Sequence, residues 1–383
     1  MAQQDSATAR VFFTDSESDA DLYYLTHFLA GDPIVYFESG GKRELFLNDL
    51  EVDRGRKQSN VDDVHRLKDI ADRVEERTGQ RPGRGPVGAA ACIGEIARER
   101  GVRYLDVSAR CPIALADALR ADGFGVAWKP DPFVPERALK TADEVEKIRG
   151  AVRHTEAAMT AAIERIGAAE IRDGGLYEGE TTLTSEEVKR TINRTLMELG
   201  CHPYEAIVAG GDQGCDPHDR GSGPLPANLP IIIDIFPRDL TTRYHGDMTR
   251  TVVRGKASDE AKAVFEAVAA AKAAAIAKMR AGVSGRDVHA ECNRVFDERG
   301  YKTEQRDGRM VGFFHGTGHG LGLAVHEYPG VGQADHKLGA GHVVTVEPGL
   351  YYPGIGGVRI EDDVLVTEDG CENLCQLETV FEI

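Results

Sequence analysis

The chain has 383 residues, 41% hydrophobic and 28% charged, and its 63 acidic side chains against 46 lysines and arginines give a net charge of −17. That length exceeds one ordinary core and implies two domains, while the composition excludes a disordered chain. An acidic balance with no basic cluster to offset it repels phosphate backbones and argues against a nucleic-acid partner.

The opening segment has no charged region followed by an apolar stretch, and no later run approaches the roughly eighteen apolar residues of a membrane span. The expectation is a cytoplasmic protein with no membrane contact. The cysteines at 92, 111, 201, 215, 292, 371 and 375 are odd in number and scattered. They read as reduced thiols, none in a reactive motif.

Up to about residue 130, strand-like and helix-like segments alternate. Residues 11–15, 33–39, 43–49, 102–108 and 123–129 are short, rich in Val, Phe, Tyr and Ile, and bounded by Gly, Pro or Asp. Between them, Val64, Leu67, Ile70, Ala71 and Val74 recur at helical spacing over 61–79, and Ile93, Ile96 and Ala97 do so in a further helix. This alternation predicts an α/β domain over residues 1–135. No Gly-x-Gly-x-x-Gly follows a strand there, which makes it a poor dinucleotide site.

Prolines 130, 132 and 135 mark a boundary, and a second domain is expected over 136–383. Thr141-Ala-Asp-Glu144 reads as a capping box that opens a helix running to about Ile166. An internal repeat follows. Residues 184–201 and 284–301 are offset by 100, and Val188/Val288, Asn193/Asn293, Arg194/Arg294, Glu198/Glu298 and Gly200/Gly300 are identical pairs. Each unit then reaches an apolar strand carrying an acid, Asp234 or Glu347, and a second strand carrying another, Asp247 or Glu361. Two duplicated halves facing each other would bring all four acids to one place.

Ionised carboxylates in or beside apolar strands suffer a desolvation penalty unless they are paired or coordinated. Arg250 and Arg359 are candidate partners for a buried ion-pair network; a metal is the other solution. The stretch from His315 to Glu327 places His315, His319 and His326 within twelve residues, with glycines at 316, 318, 320 and 322 that let the backbone pass close to an ion or substrate. One imidazole with four carboxylates is a hard, oxygen-rich donor set that suits Mn²⁺, Fe²⁺ or Co²⁺ better than a structural zinc, and four negative charges balance two divalent ions. His326-Glu327 does not start an HExxH helix, because Tyr328-Pro329-Gly330 follows.

The ordered set Asp234, Asp247, His319, Glu347 and Glu361, set in DMTRT, HGTGHGLGLAVHE, VEPG and GVRIEDD, resembles the Xaa-Pro aminopeptidase and prolidase branch of the pita-bread metallopeptidases. The resemblance implies a creatinase-like N-terminal α/β domain and an α+β pita-bread catalytic domain with an internal pseudo-two-fold repeat. It implies hydrolysis of the Xaa-Pro bond at the start of peptides or in dipeptides, with two divalent ions as cofactors. Mn²⁺ is the first expectation, with Co²⁺, Fe²⁺ and Zn²⁺ open. By matching positions, Asp234 would hold one ion, Asp247 and Glu361 both, and His319 with Glu347 the second. Glu347 would also shuttle a proton. His218 and His326 match the substrate-side histidines, His315 a pocket residue, and Arg359 a partner that orients a ligand carboxylate. The other histidines are assigned no chemistry, although His245 is close enough in sequence to Asp247 to touch the site. The implied partners are a short proline-containing peptide and a second copy of the chain in a homodimer.

Two departures concern the pocket. Phe236 stands where relatives usually carry a small residue, and the 13-residue spacing from Asp234 to Asp247 is two longer than usual, with PRDLTT in the enlarged turn. The alternatives left open are a non-catalytic interaction module on the same fold and a related metal-dependent hydrolase with an altered substrate.

Overall fold

In the N-terminal part, the strand segments pack apolar residues on both faces, as they must to lie between two layers. A computed structural model describes residues 8–383, and the chain divides into two units, Met1–Arg137 and Ala138–Ile383.

The first unit runs β1 (Thr8–Thr14), α1 (Ala20–Thr26), β2 (Ile34–Ser39), β3 (Lys42–Leu47), α2 (Val52–Gln58), β4 (Asp63–Arg66), α3 (Leu67–Thr78), α4 (Pro86–Glu99), β5 (Tyr104–Ser108), α5 (Ile113–Ala121) and β6 (Gly125–Lys129). Its strands form one sheet in the order β4-β3-β2-β1-β5-β6. Side chains alternate across a sheet, so Val11, Phe37 and Phe46 join Ile93, Ile96 and Leu105 in one cluster. Their chain neighbours Phe12, Tyr36 and Leu45 join Phe28 in another. The helix expected over 61–79 is a correction: Asp63–Arg66 pairs in parallel with β3, and the helix starts only at Leu67. The edge hydrogen bonds of β3 outweigh a helical spacing that includes Val64.

The second unit opens with α6 (Ala142–Ala168), whose Thr141 and Glu144 form the expected reciprocal capping box. The small strands β7 (Glu170–Arg172), β8 (Gly175–Glu178) and β9 (Thr181–Thr182) precede α7 (Ser185–Glu198). Then come β10 (Cys201–His202), β11 (Ile207–Gly210), β12 (Ile231–Ile235), β13 (Arg238–Asp239) and β14 (Met248–Val252). The later half repeats a long and a short helix, α8 (Asp259–Lys278) and α9 (Gly285–Glu298). It continues through β15 (Glu304–Arg306), β16 (Arg309–Val311), β17 (Gly318–Gly320), β18 (Glu327–Val331), β19 (Val343–Val346), β20 (Gly349–Tyr352), β21 (Gly356–Arg359), β22 (Asp362–Val366) and β23 (Cys371–Asn373). The sheets that matter for the site are β11-β12-β14 and β18-β17-β19-β22-β23.

The expected strand over 357–366 is two strands. β21 pairs with β20 and β22 with β19, so the chain changes sheets at Ile360–Glu361. Among the described residues no helix is long and apolar enough to cross a membrane.

Candidate metal centre

Three of the five ordered residues lie where strands end or change partner, and the other two lie within strands. Asp234 is the fourth residue of β12, Asp247 immediately precedes β14, and His319 is the middle residue of β17. Glu347 follows β19 directly, and Glu361 lies in the step between β21 and β22. Interrupted backbone at Asp247, Glu347 and Glu361 releases those carboxylates from the alternating core pattern and lets them meet Asp234, which projects from the regular β11–β12–β14 ladder.

Ligand atoms of Asp247, His319 and Glu361 lie within 4.8 Å of one another. His319 Nε2 is 3.8 Å from Asp247 Oδ2 and 3.4 Å from Glu347 Oε1. Asp234 joins through Arg359, whose Nη2 donates to Asp234 Oδ2 at 2.8 Å, while Asp234 Oδ1 is buried with no hydrogen-bond partner. One cavity of about 770 Å³ is lined by all five, and by His218, His315, His326 and Arg359 as well. Ile207, Phe236, Phe314 and Val325 supply apolar wall.

The electrostatics are those of crowded acids. Burial, then the charges of Glu361 and Asp234, pushes the Asp247 carboxyl well above the ordinary range. Burial, then Glu347 and Asp234, does the same to Glu361, and burial pushes Glu347 up to about 7. Of the two arginines weighed from the sequence, Arg359 goes to Asp234 and Arg250 to Asp362. Neither meets the Asp247 or Glu361 carboxylate. An uncompensated set of buried acids with one orphaned carboxylate oxygen and a burial-neutralised His319 is the donor chemistry that divalent ions satisfy. The residues fit the group.

The surroundings hold these donors in place. Thr249 Oγ1 donates to Glu361 Oε2 at 2.7 Å, and the Asp247 backbone N–H donates to Asp363 Oδ2 at 3.0 Å. Thr345 Oγ1 accepts the His319 N–H at 3.2 Å and lies 3.4 Å from Glu347 Oε1. Tyr351 OH joins His315 Nε2 at 2.8 Å to Arg359 Nη1 at 3.1 Å. Burial, then the Arg359 charge, keeps His315 neutral, with its pKa drawn down to about 3. His326 meets the His319 ring edge-on at 4.3 Å, while His218 reaches the cavity from an exposed turn after a short 3₁₀ segment.

Sequence reasoning passed over Thr249, Thr345, Tyr351 and Asp363. Thr249 and Asp363 stand inside motifs quoted for their neighbours; nothing local marks Thr345 or Tyr351. One expectation is corrected and one extended. The His245 ring does not line the cavity; it is buried and lies against Tyr204 at 5.6 Å. Gly316 and Gly318 line the cavity, as the glycine spacing predicts, but Gly318 and Gly320 also make room for the protein's own strands, because a Cβ at Gly318 would stand 1.9 Å from the Thr345 carbonyl oxygen and one at Gly320 2.6 Å from that of Tyr328.

The model of metallopeptidase family M24 matches residues 146–368. An uncharacterized peptidase of Staphylococcus aureus strain MSSA476 is 33% identical over 246 residues, a match that spans 63% of this chain and 64% of that relative's length. In structure, the chain is similar to the X-Pro aminopeptidase of Thermotoga maritima, with a TM-score of 0.77, 25% identity and coverage of 98% of each chain. It is equally similar to the prolidase of Pyrococcus horikoshii, with a TM-score of 0.77, 25% identity, and coverage of 98% of this chain and 95% of that one. These likenesses extend over both units, so the mixed α/β architecture is that of the solved prolidases. The family match spans more than half of the chain and encloses all five ordered residues, and the chain therefore belongs to metallopeptidase family M24.

Proposed function

We propose that this chain is a metal-dependent peptidase that hydrolyses the bond before proline, in Xaa-Pro dipeptides or at the N-terminus of longer peptides. The observation that carries the reading is the gathering of Asp234, Asp247, His319, Glu347 and Glu361 on the wall of one cavity. Likeness to an X-Pro aminopeptidase and a prolidase over nearly the whole chain supports it. In this reading residues 1–135 are a creatinase-like domain and 136–383 a pita-bread catalytic domain. Its halves, α6 to β14 and α8 to β22, are related by a pseudo-two-fold repeat.

The five residues would hold two divalent ions, with Mn²⁺ favoured by the excess of oxygen donors. When bound, such ions supply Lewis acidity, lowering the pKa of water and polarising a carbonyl. The remaining work falls to side chains. Water adds to the scissile carbonyl carbon and the C–N bond breaks, so one proton must move from the water to the prolyl nitrogen, which has no N–H of its own before cleavage. Glu347 takes and returns that proton at its carboxylate, with Thr345 Oγ1 beside Oε1. His326 and His218, both exposed on the cavity wall, bind the carbonyl oxygen as charge grows on it. Arg359 holds Asp234, and Tyr351 links that guanidinium to His315.

The test is hydrolysis of an Xaa-Pro dipeptide, an Xaa-Pro-Yaa tripeptide and an Xaa-Ala control by protein of measured metal content. Cleavage before proline is expected, and the faster of the two proline substrates separates dipeptidase from aminopeptidase. No cleavage by a metal-loaded sample overturns the reading. A homodimer is part of the proposal, and a monomer by light scattering across concentrations would remove it.

A further inference from the structure

A second group of donors converges on one point away from the carboxylate centre. Ligand atoms of His154, Cys201 and Asp239 all lie within 4.8 Å of one another. They come from three separate elements: α6, β10 and β13. Cys201 and Asp239 are direct partners across the β10–β13 ladder, and residues directly opposite in an antiparallel pair project to the same face. His154 Nδ1 meets that face, 3.2 Å from Cys201 Sγ and 3.5 Å from Asp239 Oδ2. The other oxygen, Asp239 Oδ1, accepts the backbone N–H groups of Thr241 and Thr242 at 2.9 and 2.7 Å, which fixes the carboxylate with Oδ2 toward the imidazole.

Two readings of this trio fail. A cysteine nucleophile served by a histidine and an acid needs one ring nitrogen on the thiol and the other on the carboxylate. Here the same Nδ1 faces both, and burial pushes the Cys201 thiol up to about 11, where it is a poor nucleophile. A self-neutralised ion cluster is the second. The Glu44, Asp63 and His65 group is of that kind, since Lys42 contacts both of its acids and Arg100 binds Glu44. At Asp239, the facing groups are an imidazole and a thiol. Zinc bonded at about 2.3 Å to sulfur and about 2.0–2.2 Å to nitrogen and oxygen in a tetrahedron sets its donors roughly 3.3–3.6 Å apart. The nitrogen–oxygen separation of 3.5 Å falls within that spacing, and the sulfur–nitrogen separation of 3.2 Å is a few tenths of an ångström short of its longer, sulfur-bonded end, a distance that opening of the Cys201 and His154 side chains around an ion would supply.

We propose that His154, Cys201 and Asp239 form a zinc site separate from the carboxylate centre, with water as the fourth ligand. Side-chain exposures of 29% for His154 and 13% for Asp239 give the ion and the water access. As the sulfur–zinc bond forms, the Cys201 proton passes to solvent. The two centres differ in softness. One sulfur and one nitrogen select zinc over manganese, opposite to the oxygen-rich centre. The site also ties α6 to the enlarged turn between Asp234 and Asp247, so zinc here braces the segment that spaces two residues of the active centre.

The experiment uses the full chain stripped of metal and titrated with Co²⁺, a spectroscopic stand-in for zinc. A thiolate-to-cobalt charge-transfer band is expected, and in the Asp247→Asn/Glu361→Gln chain, where the carboxylate centre no longer competes for cobalt, it should saturate at one equivalent. It should vanish in Cys201→Ser, and yield to Zn²⁺ but not to Mn²⁺. Absence of the band, or its survival at equal intensity in Cys201→Ser, overturns the proposal. Should the serine variant fail to fold, Asp239→Asn and His154→Gln decide it: cobalt affinity at the sulfur band falls at least tenfold, and unchanged affinity overturns the site.

Discussion

Two groups of Asp, Glu and His at ligand distance show opposite electrostatics. In the first unit Glu44 is buried beneath Arg100, Lys42 and His65. Burial alone would raise its pKa, but hydrogen bonds from Arg100 and His65 prevail and hold it at about 2. In the second unit Asp247 and Glu361 are equally buried, yet each is pushed upward by burial and by other acids. Residue type and proximity are shared, so neither identifies a metal site. What separates the two is whether the protein has already supplied the positive charge.

Substitution of Glu361 breaks this contrast most strongly. Glu361→Gln should lower kcat/KM for an Xaa-Pro substrate by at least ~10³-fold, on the order of 4 kcal/mol. It should leave the metal-free chain no less stable, because it removes repulsion. The rise in melting temperature on adding Mn²⁺, worth about 2.7 kcal/mol at a hundredfold excess over Kd in the parent, should largely disappear. Calorimetry with and without metal checks both halves, and an unaltered metal-dependent rise would detach Glu361 from the ions.

Glu44→Gln is the counterpart, with no dependence on metal. Loss of the buried carboxylate leaves Arg100 and Lys42 facing a neutral amide, at a cost on the order of 2 kcal/mol at pH 7 regardless of metal. The pH sign follows from the lowered pKa. The contribution is complete above the ordinary 4.5 and is lost as pH falls from 4.5 toward 2. Urea midpoints of parent and variant should therefore converge at acid pH. Equal midpoints at pH 7 would show that the cluster contributes no stability.

Much of the carboxylate cluster was legible because its residues carry local signals. An acid at the end of an Ile-rich run, or a histidine among glycines, is conspicuous in a single stretch of chain. The β-layer of the first unit was legible for the same reason, since consecutive residues such as Val11 and Phe12 each find an apolar face. What could not be read depends on partners far along the chain. Residues 63–66 look helical until β3 offers an edge, and 357–366 looks like one strand until β20 and β19 claim different parts of it. The link from Tyr351 to His315 and Arg359 has no sequence spacing at all. The glycines that open the cavity at 316 and 318 are legible in the sequence, while the contacts that Gly318 and Gly320 make with Thr345 and Tyr328 are a fact of tertiary packing.

Arg359→Lys sharpens the comparison from within the proposed metal centre, where Asp234 is the acid that does have a cation. The guanidinium serves Asp234, Tyr351 and Thr249 at once, and an ammonium cannot reproduce that planar set of donors. A drop of about 10–100-fold in activity is expected from the loosened ligand, with metal content falling less than in Glu361→Gln. Metal analysis beside kinetics distinguishes the two, and a Lys variant of full activity would reduce Arg359 to a packing role.

The smallest expected effect lies on the apolar side of Asp234, where the Glu44 cluster has no equivalent. Phe236 follows Asp234 by two residues, so both project to one side of the extended chain, and both line the cavity. Its ring is set between Tyr204, with centroids 6.4 Å apart, and the Arg220 guanidinium at 5.8 Å. A ring held by these two neighbours takes volume from the cavity beside the Asp234 carboxylate. Phe236→Gly should raise kcat/KM for bulky Xaa-Pro substrates about 3–10-fold relative to Ala-Pro, the order of 1 kcal/mol that a pocket wall contributes to discrimination. The ratio of the two specificity constants is the measurement, because a general loss of stability lowers both and leaves it unchanged. A constant ratio would place substrate selection elsewhere on the wall, with Ile207, Phe314 and Val325 as the remaining apolar surfaces.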